Sequence, residues 1–367
     1  MREAEQYIMR STQLPVWQAL LVPFALLYSA GLKAYLWWRL PRQFHAEAIV
    51  VSVGNLTLGG TGKTPVVIAL SRHLQQQGFR VAVLSRGYGG AMSRTGGIVS
   101  DGERILATSA QAGDEPLLLA HQLPGVPILV GKDRRKTAQV ATQQFGCEVL
   151  VLDDGFQYWQ LHRNIDLVLL DADSPFGNGW SLPAGVLREP VEHLQRAHAL
   201  LVHNGEHACV QLTMRFPSLS CFVWKKVPVS IRPLHCGDAP TDVKVLQGKR
   251  VFAMAGIARF ESFTGTLLGL GAEVVGTRRL PDHYRYTLED LFEAQRRAEQ
   301  CDAEMVLVTE KDAVKIEELP TAPSKPPLFA LGIEARFSDT FWRWFHARLR
   351  AAQRASSAQI PPTEETL

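Results

Sequence analysis

The chain has 367 residues, of which 46% are hydrophobic and 20% are charged, and its formal net charge is +3. This length and composition are typical of a folded protein with two domains and exclude a low-complexity or disordered chain. Lysines and arginines are interspersed with acidic residues, without the basic stripe of a nucleic-acid-binding protein. We therefore expect no nucleic-acid partner, and no feature indicates an obligate protein partner.

The cysteines and a group of histidines bear on metal binding and redox state. The cysteines are scattered and form no Cys-x-x-Cys pair, which predicts reduced, mostly buried thiols rather than disulfides or a zinc site. They are Cys147, Cys209, Cys221, Cys236 and Cys301. The histidines His193, His198, His203 and His207 resemble metal ligands in number. However, the apolar run 199–202 predicts a buried strand between two of them, so we expect no metal site there.

The first predicted element is an apolar segment from Leu14 to Trp38, within an amino-terminal region of residues 1–44. Arginines, including Arg10, flank it, and aromatic residues lie near both of its ends, as at a membrane interface. Its length is borderline for crossing a bilayer and suits a helix that lies on the membrane surface. One alternative is an amphipathic helix packed on the protein itself. A cleaved signal peptide is disfavoured because the apolar run continues past any small-residue cleavage site.

After this segment, short apolar runs alternate with helical patterns. The predicted strands are Ala48–Val53, Val81–Ser85, Pro127–Val130, Val149–Leu152, Leu167–Leu170 and Leu200–Val202. The predicted helices are Thr64–Gln77, Glu115–His121, Asp133–Phe145 and Val191–Ala197. This alternation predicts an α/β fold with a mostly parallel sheet, in which ligands bind at the carboxyl ends of the strands.

A second region with a similar pattern follows the first. We predict a P-loop NTPase-like core over residues 45–221, joined by an extended linker, 222–248, to a smaller α/β domain, 249–350. Residues 351–367 form a polar tail. The sequence therefore predicts two α/β domains with a cleft between them.

A glycine-rich segment after the first strand opens a helix, which is the context of a phosphate-binding P-loop. Its residues are Thr57, Leu58, Gly59, Gly60, Thr61, Gly62, Lys63 and Thr64. The glycines allow backbone N–H groups to face the phosphates of ATP, and the helix amino terminus adds positive potential. Lys63 would reach the β- and γ-phosphates, and the Thr64 hydroxyl would bind Mg²⁺. The pattern expects glycine where Thr57 stands, and we consider the site intact without it.

An acidic pair at the end of an apolar strand completes a nucleotide site. Asp153 and Asp154 follow four apolar residues, a position that is costly for carboxylates without a cation nearby. We therefore expect both aspartates in the shell of the metal ion. A solvated turn at the end of the strand is the alternative.

Transfer to an acceptor requires a base and positive charges around the moving phosphoryl group. Residue type and position suggest Asp114, His283, Arg86, Arg134 and Arg188. Each has an ordinary alternative: Asp114 could cap the helix that follows, His283 could be a turn residue, and Arg86 and Arg134 could lie on the surface. The residues alone leave these alternatives open.

A set of motifs in fixed order resembles one enzyme family, the tetraacyldisaccharide 4′-kinases. The motifs are Gly54-Asn55-Leu56, Gly59-Gly60-Thr61-Gly62-Lys63-Thr64-Pro65, Ser85-Arg86-Gly87-Tyr88-Gly89, Gly113-Asp114-Glu115, Asp153-Asp154-Gly155-Phe156-Gln157, Phe176-Gly177-Asn178-Gly179, Leu182-Pro183-Ala184-Gly185 with Arg188-Glu189, Ala255-Gly256-Ile257-Ala258, Asp282-His283 and Thr309-Glu310-Lys311-Asp312-Ala313-Val314-Lys315. They cover nearly the whole chain. One departure is Tyr158, where family members often carry histidine, and this makes proton handling at that position doubtful.

The resemblance implies an ATP- and Mg²⁺-dependent kinase that phosphorylates the 4′-hydroxyl of an acylated glucosamine disaccharide 1-phosphate in lipid A biosynthesis. It implies that Asp114 is the base and that His283 positions it from the second domain, across the cleft. Phosphate or substrate contacts are expected from Asn55, Arg86, Arg134 and Arg188. The enzyme is expected at the membrane surface, on the cytoplasmic face of the inner membrane.

Other functions are compatible with parts of this pattern. A membrane-associated P-loop NTPase that drives assembly or transport would share the apolar segment and the P-loop. A soluble small-molecule kinase would bury the amino-terminal helix in its own core. Acceptor-independent ATP turnover would indicate the first alternative, and partition into the soluble fraction would indicate the second.

Overall fold

The computed structural model describes residues 16–234, 239–320 and 325–358. Residues outside this range include Leu14, which begins the predicted apolar segment, the flanking Arg10, Cys236, and residues 359–367 of the predicted tail. The chain divides into two compact units. The first unit contains the described parts of residues 1–86, 126–225 and 335–367, and the second contains those of 87–125 and 226–334.

The secondary structure alternates along most of the chain. The strands are β1 (Ile49–Asn55), β2 (Val81–Ser85), β3 (Gly97–Ser100), β4 (Ile128–Val130), β5 (Val149–Asp153), β6 (Ile165–Asp171), β7 (Ala199–His203), β8 (Ser220–Pro233), β9 (Thr241–Asp242), β10 (Arg250–Ala255), β11 (Glu273–Arg279), β12 (Met305–Thr309) and β13 (Leu328–Phe337). The helices are α1 (Val16–Ala19), α2 (Val22–Arg39), α3 (Lys63–Gln76), α4 (Met92–Thr95), α5 (Ser109–Ala112), α6 (Asp114–Gln122), α7 (Arg134–Gln143), α8 (Glu206–Arg215), α9 (Phe260–Gly269), α10 (Leu288–Gln300), α11 (Glu310–Ile316) and α12 (Asp339–Ala358). Short 3₁₀ helices cover Leu40–Arg42, Val191–Arg196 and Val243–Leu246.

The first unit contains a parallel sheet. Its strands lie in the order β8-β7-β6-β1-β5-β2-β4, with parallel pairing throughout. All residues of β1 and β5 are buried, which explains why these strands are nearly continuous apolar runs rather than alternating ones. Val53 of β1 pairs with Asp153 of β5. The end of β1, where the glycine-rich loop begins, therefore lies beside the acidic end of β5.

Helix α2 has one narrow stripe that packs on the protein, and most of its large apolar side chains are exposed. Ala25, Leu32 and Leu36 are buried. In contrast, Leu27 is 73% exposed and Trp37 is 81% exposed. Only the buried stripe of α2 therefore packs on the protein, as the alternative of a self-packed helix requires. Of the helices in the described part of the chain, none combines the length and apolar character needed to cross a membrane.

The second unit contains a smaller parallel sheet in the order β11-β10-β12-β13, and β9 pairs in antiparallel fashion with the second half of β8. Apolar side chains on both faces of β10 and β12 are buried against helices α9, α10 and α11. The segment 87–125 also belongs to this unit. Leu117 and Leu118 of α6 pack on Val314 of α11, which joins this segment to the second sheet.

The mixed α/β architecture with a mostly parallel sheet is confirmed. The boundaries differ from prediction in three places, each for a reason of packing. Residues 87–125 group with the second unit through α6, and helix α12 groups with the first through its aromatic residues, such as Phe341 against Phe222 at 5.4 Å. The expected linker 222–248 instead contains most of one long strand, β8, and the short strand β9 that pairs with it.

The predicted helix 191–197 is confirmed as a 3₁₀ helix over Val191–Arg196. One smaller prediction, that of mostly buried cysteines, was wrong. Of the described cysteines only Cys147 is buried, and Cys209, Cys221 and Cys301 are partly exposed, although all four are free thiols.

Candidate active site

The phosphate-binding loop of the first unit runs from the end of β1 to the start of α3. Gly59 and Gly62 have positive φ values of 101° and 83°, a conformation that glycine adopts without strain, and Gly62 caps α3. Thr57 is not among the described non-glycine residues with positive φ, so this position does not require glycine. Leu58 N–H donates to the Val186 carbonyl at 2.8 Å, which ties the loop to the segment before Arg188.

Asn55 organises this loop. Its side chain is fully buried, its Nδ2 donates to the Thr57 carbonyl at 2.7 Å, and its Oδ1 accepts from Lys63 Nζ at 3.1 Å. The sequence predicted a substrate contact for Asn55. The structure places both of its polar ends on the loop itself, where Oδ1 contacts the lysine, and the substrate contact stays a prediction.

The two adjacent aspartates after β5 have different neighbours. Asp153 is 2% exposed, and its Oδ2 accepts from Ser85 Oγ at 3.0 Å. Asp154 has a positive φ of 53°, a strained conformation for a residue other than glycine. It accepts from Arg188 Nη1 at 2.8 Å and lies 3.4 Å from Lys63 Nζ.

These contacts set the charge of Asp154. Burial favours its neutral form, but the charges of Lys63 and Arg188 outweigh burial and hold the pKa of Asp154 below its ordinary value. Asp154 is therefore an anion that bridges two cations.

Arg134 is buried beside the same strand end. It is 5% exposed, its guanidinium lies 4.9 Å from the centre of the Tyr158 ring, and its Nη2 lies 3.4 Å from the Asp153 carbonyl. Burial lowers the pKa of Arg134, and the charges of Asp154 and Asp153 oppose that effect. The alternative of a surface position is therefore wrong for Arg134, whereas Arg86 is exposed.

Tyr158 occupies the position that departs from the family pattern. Its hydroxyl donates to Asp133 Oδ1 at 2.9 Å, and Asp133 caps helix α7. Burial and the neighbouring Asp133 raise the pKa of Tyr158, so the residue stays neutral near physiological pH. The contacts assign Tyr158 to supporting Arg134 and helix α7.

A buried polar network lies behind Arg188. Gln157 Nε2 donates to Glu189 Oε1 at 3.1 Å, and Glu189 Oε2 contacts His193 Nδ1 at 2.9 Å and Arg196 Nη2 at 2.8 Å. Burial favours the neutral form of Glu189, but His193 and Arg196 outweigh it and hold the pKa of Glu189 below its ordinary value. The sequence reading assigned no role to Glu189, although it adjoins Arg188 in one of the motifs.

The second unit holds the carboxylate–imidazole pair. Asp114 is the first residue of α6, and its Oδ2 lies 3.1 Å from His283 Nδ1. Gly113 caps α6 and the side chain of Asp114 makes no capping bond, so the capping alternative is wrong. His283 has a strained positive φ of 59°. Because both residues belong to the second unit, the expected pairing across two domains is also wrong.

Two lysines of α11 complete the environment of this pair. Lys315 Nζ lies 3.1 Å from Asp114 Oδ2, and Lys311 Nζ lies 3.4 Å from His283 Nε2. The sequence reading missed both as site residues. The available signal was their i, i+4 spacing, which places them on one face of a helix.

The donor set at the end of β5 fits a magnesium ion. Mg²⁺ takes oxygen ligands and keeps several waters, and the Asp153 carboxylate and the Thr64 hydroxyl are oxygen donors beside the phosphate loop. The Asp154 carboxylate is already held by Lys63 and Arg188 and is less suited to ligate. Among the described side chains, no group of histidine, cysteine, aspartate and glutamate could by itself hold a metal, His193, His198, His203 and His207 included.

The fold and the loop define an α/β protein with a phosphate-binding loop, a lysine aimed by Asn55 and an acidic strand end beside it. Residues 17–350 match the family model described as tetraacyldisaccharide-1-P 4′-kinase. The chain belongs to this family.

Named relatives agree with the family. The tetraacyldisaccharide 4′-kinase of Syntrophus aciditrophicus is 44% identical over 301 residues, covering 78% of this chain and 80% of the relative. That of Anaeromyxobacter sp. (strain Fw109-5) is 43% identical over 320 residues, covering 84% of this chain and 82% of the relative.

A solved structure is also similar. The crystal structure of LpxK from Aquifex aeolicus in complex with ATP superposes with a TM-score of 0.72 at 27% identity, covering 92% of this chain and 99% of that chain. The similarity therefore extends over both compact units of this chain.

Proposed function

We propose that this protein transfers the γ-phosphate of ATP to the 4′-hydroxyl of a tetraacyldisaccharide 1-phosphate, a lipid A precursor. The observation that carries the proposal is the Asp114–His283 pair, since a carboxylate held at 3.1 Å from an imidazole is suited to receive a hydroxyl proton. Family membership over residues 17–350 supplies the acceptor class. An NTPase that only hydrolyses ATP has no need of such a pair and is not favoured.

The first unit would bind the nucleotide. The backbone N–H groups of the loop and the amino terminus of α3 would hold the triphosphate, and Lys63 would contact its terminal phosphates. When bound through Thr64 and Asp153, Mg²⁺ supplies charge neutralisation at the phosphate oxygens. Arg134 and Arg188 stand beside the acidic strand end and would contribute positive potential there.

The pair in the second unit would act on the acceptor. The hydroxyl proton moves to the Asp114 carboxylate, the hydroxyl oxygen forms a bond to the γ-phosphorus, and the bond from that phosphorus to the β-phosphate oxygen breaks. ADP leaves with the electron pair of that bond. His283 holds Asp114 in place and steadies its charge as the proton arrives.

Helix α2 would attach the enzyme to the membrane surface. Its exposed side chains, Leu27, Trp37 and others, form an apolar patch of the kind that inserts among lipid headgroups. An acylated substrate resides in a bilayer, and ATP is a cytoplasmic metabolite. We therefore place the protein on the cytoplasmic face of the inner membrane as a peripheral enzyme.

The test is transfer of label from γ-labelled ATP to an acylated glucosamine disaccharide 1-phosphate in mixed micelles. The wild type should label the lipid, and Asp114→Ala should be slower by about a hundredfold or more. Glu103→Gln, which changes an exposed carboxylate of the same unit, serves as the matched control and should retain wild-type activity.

Two results would contradict the proposal. Label released only as free phosphate, with or without lipid, would indicate a membrane-associated NTPase. Full transfer by Asp114→Ala would refute the assigned base while leaving the reaction itself supported.

A further inference from the structure

The packing of helices α6 and α11 brings Lys315 into contact with Asp114, the proposed base. Leu117 and Leu118 of α6 contact Val314 of α11, so the amino terminus of α6 lies beside the end of α11. As a result Lys315, the residue after Val314, extends to Asp114 and places its Nζ 3.1 Å from Oδ2. The packing of α6 on α11 within the second unit therefore fixes this contact.

The ammonium of Lys315 is held between two carboxylates. Its side chain is 6% exposed, and Nζ lies 3.5 Å from Oδ1 of Asp312, which is fully buried. Asp312 is in turn held by the Gly256 N–H at 3.1 Å and the Thr309 hydroxyl at 2.7 Å. Burying an ammonium group is costly without anionic partners, and its place between these two carboxylates restricts the position of Lys315.

The two contacts on Asp114 fall on the same oxygen. His283 Nδ1 and Lys315 Nζ both face Oδ2, and Oδ1 accepts no hydrogen bond from the described residues. One carboxylate oxygen is thus anchored by two nitrogen groups. The other remains available to a substrate hydroxyl.

We propose that Lys315 is a positioning residue of the kinase: its buried ammonium keeps the Asp114 carboxylate ionised and oriented, so that Oδ1 can accept the proton of the acceptor hydroxyl. The inference rests on the function proposed above. Lys315 acts through Asp114, the group that it contacts.

The charged and titratable groups near Asp114 come from several elements of the second unit. Glu115 follows Asp114 on α6. Lys315 of α11 and His283 of the loop after β11 contact Asp114. Asp312 contacts Lys315, and Asp282 contacts His283 and Lys311. Tyr88, whose ring centre lies 6.0 Å from that of His283, is the neighbouring titratable group from the loop after β2.

Burial favours the neutral form of Asp114, but His283 and Lys315 outweigh it and hold the pKa of Asp114 below its ordinary value of 3.8. Removing the charge of Lys315 leaves burial less opposed, and the pKa of Asp114 then rises. Since only the ionised carboxylate accepts a proton, activity is lost as pH falls through this pKa, and the loss begins at a higher pH in the variant.

The first measurement is kcat/KM for lipid phosphorylation as a function of pH. In Lys315→Gln the acidic limb should move to higher pH by about one unit or more, and Lys315→Arg, which keeps the charge, should restore it toward wild type. Lys311→Gln removes the same charge one turn earlier, where the ammonium faces Asp282 and His283. It should lower the rate but move the limb by less than about 0.3 units.

The second measurement does not depend on activity. Carboxyl carbon-13 NMR of the aspartate-labelled enzyme, with Asp114→Asn for assignment, should show Asp114 titrating at higher pH in Lys315→Gln than in wild type. If Lys315→Gln does not fold, Lys315→Met takes its place in both measurements.

The outcomes separate the inference from the proposed function. A shifted Asp114 resonance in a protein that does not phosphorylate the lipid would support the electrostatic role and refute the reaction. An unshifted resonance, or a lower rate with an unchanged acidic limb, would overturn the role of Lys315 and leave the reaction standing. Equal shifts in Lys311→Gln and Lys315→Gln would also overturn it, because a general charge effect would then explain both.

Discussion

Asp153 and Asp154 are identical in chemistry and adjacent in sequence, yet their surroundings separate their functions. Asp153 ends β5, is almost fully buried and faces Ser85, whereas Asp154 turns through a positive φ and joins Lys63 to Arg188. A ligand of a metal ion needs free oxygen lone pairs. Since Lys63 and Arg188 already hold the Asp154 carboxylate, we propose that Asp153 is the metal ligand and that Asp154 positions the two cations.

The two aspartates should therefore differ in their response to magnesium. Asp153→Asn should raise the Mg²⁺ concentration for half-maximal activity by about tenfold or more, because it weakens a direct oxygen ligand. Asp154→Asn should lower the maximal rate, since Lys63 and Arg188 lose their shared partner, with a midpoint within about threefold of wild type. Magnesium titrations of both variants give the answer, and an equal shift of midpoint would assign both aspartates to the metal.

Glu189 offers a test of stability against pH. Its folded-state pKa is lower than its ordinary value of 4.5, so its charge stabilises the fold fully above that value. Glu189→Gln should therefore destabilise the protein by about 3 kcal/mol at pH 7, because Arg196 loses a buried partner. The difference from wild type should shrink as the pH falls to 4 and below.

Urea unfolding at the two pH values measures this difference. Glu206→Gln is the control, since Glu206 pairs with Lys225 on the surface at 3.7 Å, and its loss should cost less than about 0.5 kcal/mol. A Glu189→Gln variant as stable as wild type at pH 7 would refute the structural role of this network.

At the scale of elements, the position of the base depends on how α6 begins. Gly113 precedes Asp114 with a φ of 91°, and a Cβ atom added there would lie 2.5 Å from the Tyr88 carbonyl oxygen. The loop Gly87–Gly90 is in close contact with the start of α6, and only a residue without a side chain fits between them. The sequence motifs that contain Gly87 and Asp114 therefore pack directly against each other.

Gly113→Ala should accordingly impair both folding and catalysis. We expect a loss of stability of about 1 to 3 kcal/mol from the strained φ and the clash, and a lower kcat as Asp114 is displaced. Gly265→Ala in helix α9 is the matched control, since no atom lies within 4 Å of its added Cβ. It should be neutral or more stable by about 0.5 kcal/mol, and similar losses in both variants would refute the explanation.

At the scale of the whole molecule, the chain contributes a phosphate-binding unit, a unit that holds the proposed base, and a helix with an apolar face. Helix α2 is joined to the first unit by more than its buried stripe, since the Tyr28 hydroxyl donates to the Arg188 carbonyl at 2.8 Å. The surface that we assign to the membrane is therefore tied to a residue that contacts Asp154. The proposed membrane contact and the candidate nucleotide site are thus linked through Tyr28 and Arg188.

The exposed face of α2 should govern binding to lipid. Replacing Phe24 and Trp37 by serine should weaken partition into anionic phospholipid vesicles by about tenfold or more, because two large apolar side chains no longer enter the interface. Vesicle sedimentation measures the partition, with Met214→Ser as control for an exposed apolar side chain elsewhere. Unchanged partition would mean that α2 is not the membrane contact.

Much of this protein was determined by local sequence. The apolar runs of β1 and β5 predict buried parallel strands, and the pattern Gly59 to Thr64 predicts a phosphate loop, because backbone conformation and burial depend on nearby residues. The nucleotide half of the site could therefore be placed from the sequence within a few residues.

Only the tertiary structure decided which residues support that chemistry. The association of 87–125 with the second unit, the contact of Lys315 with Asp114 and the burial of Arg134 all join segments distant along the chain. Such contacts depend on how helices and strands pack, which no local pattern encodes. The same packing holds Asn55 against the phosphate loop and brings His283 and Asp114 into one unit.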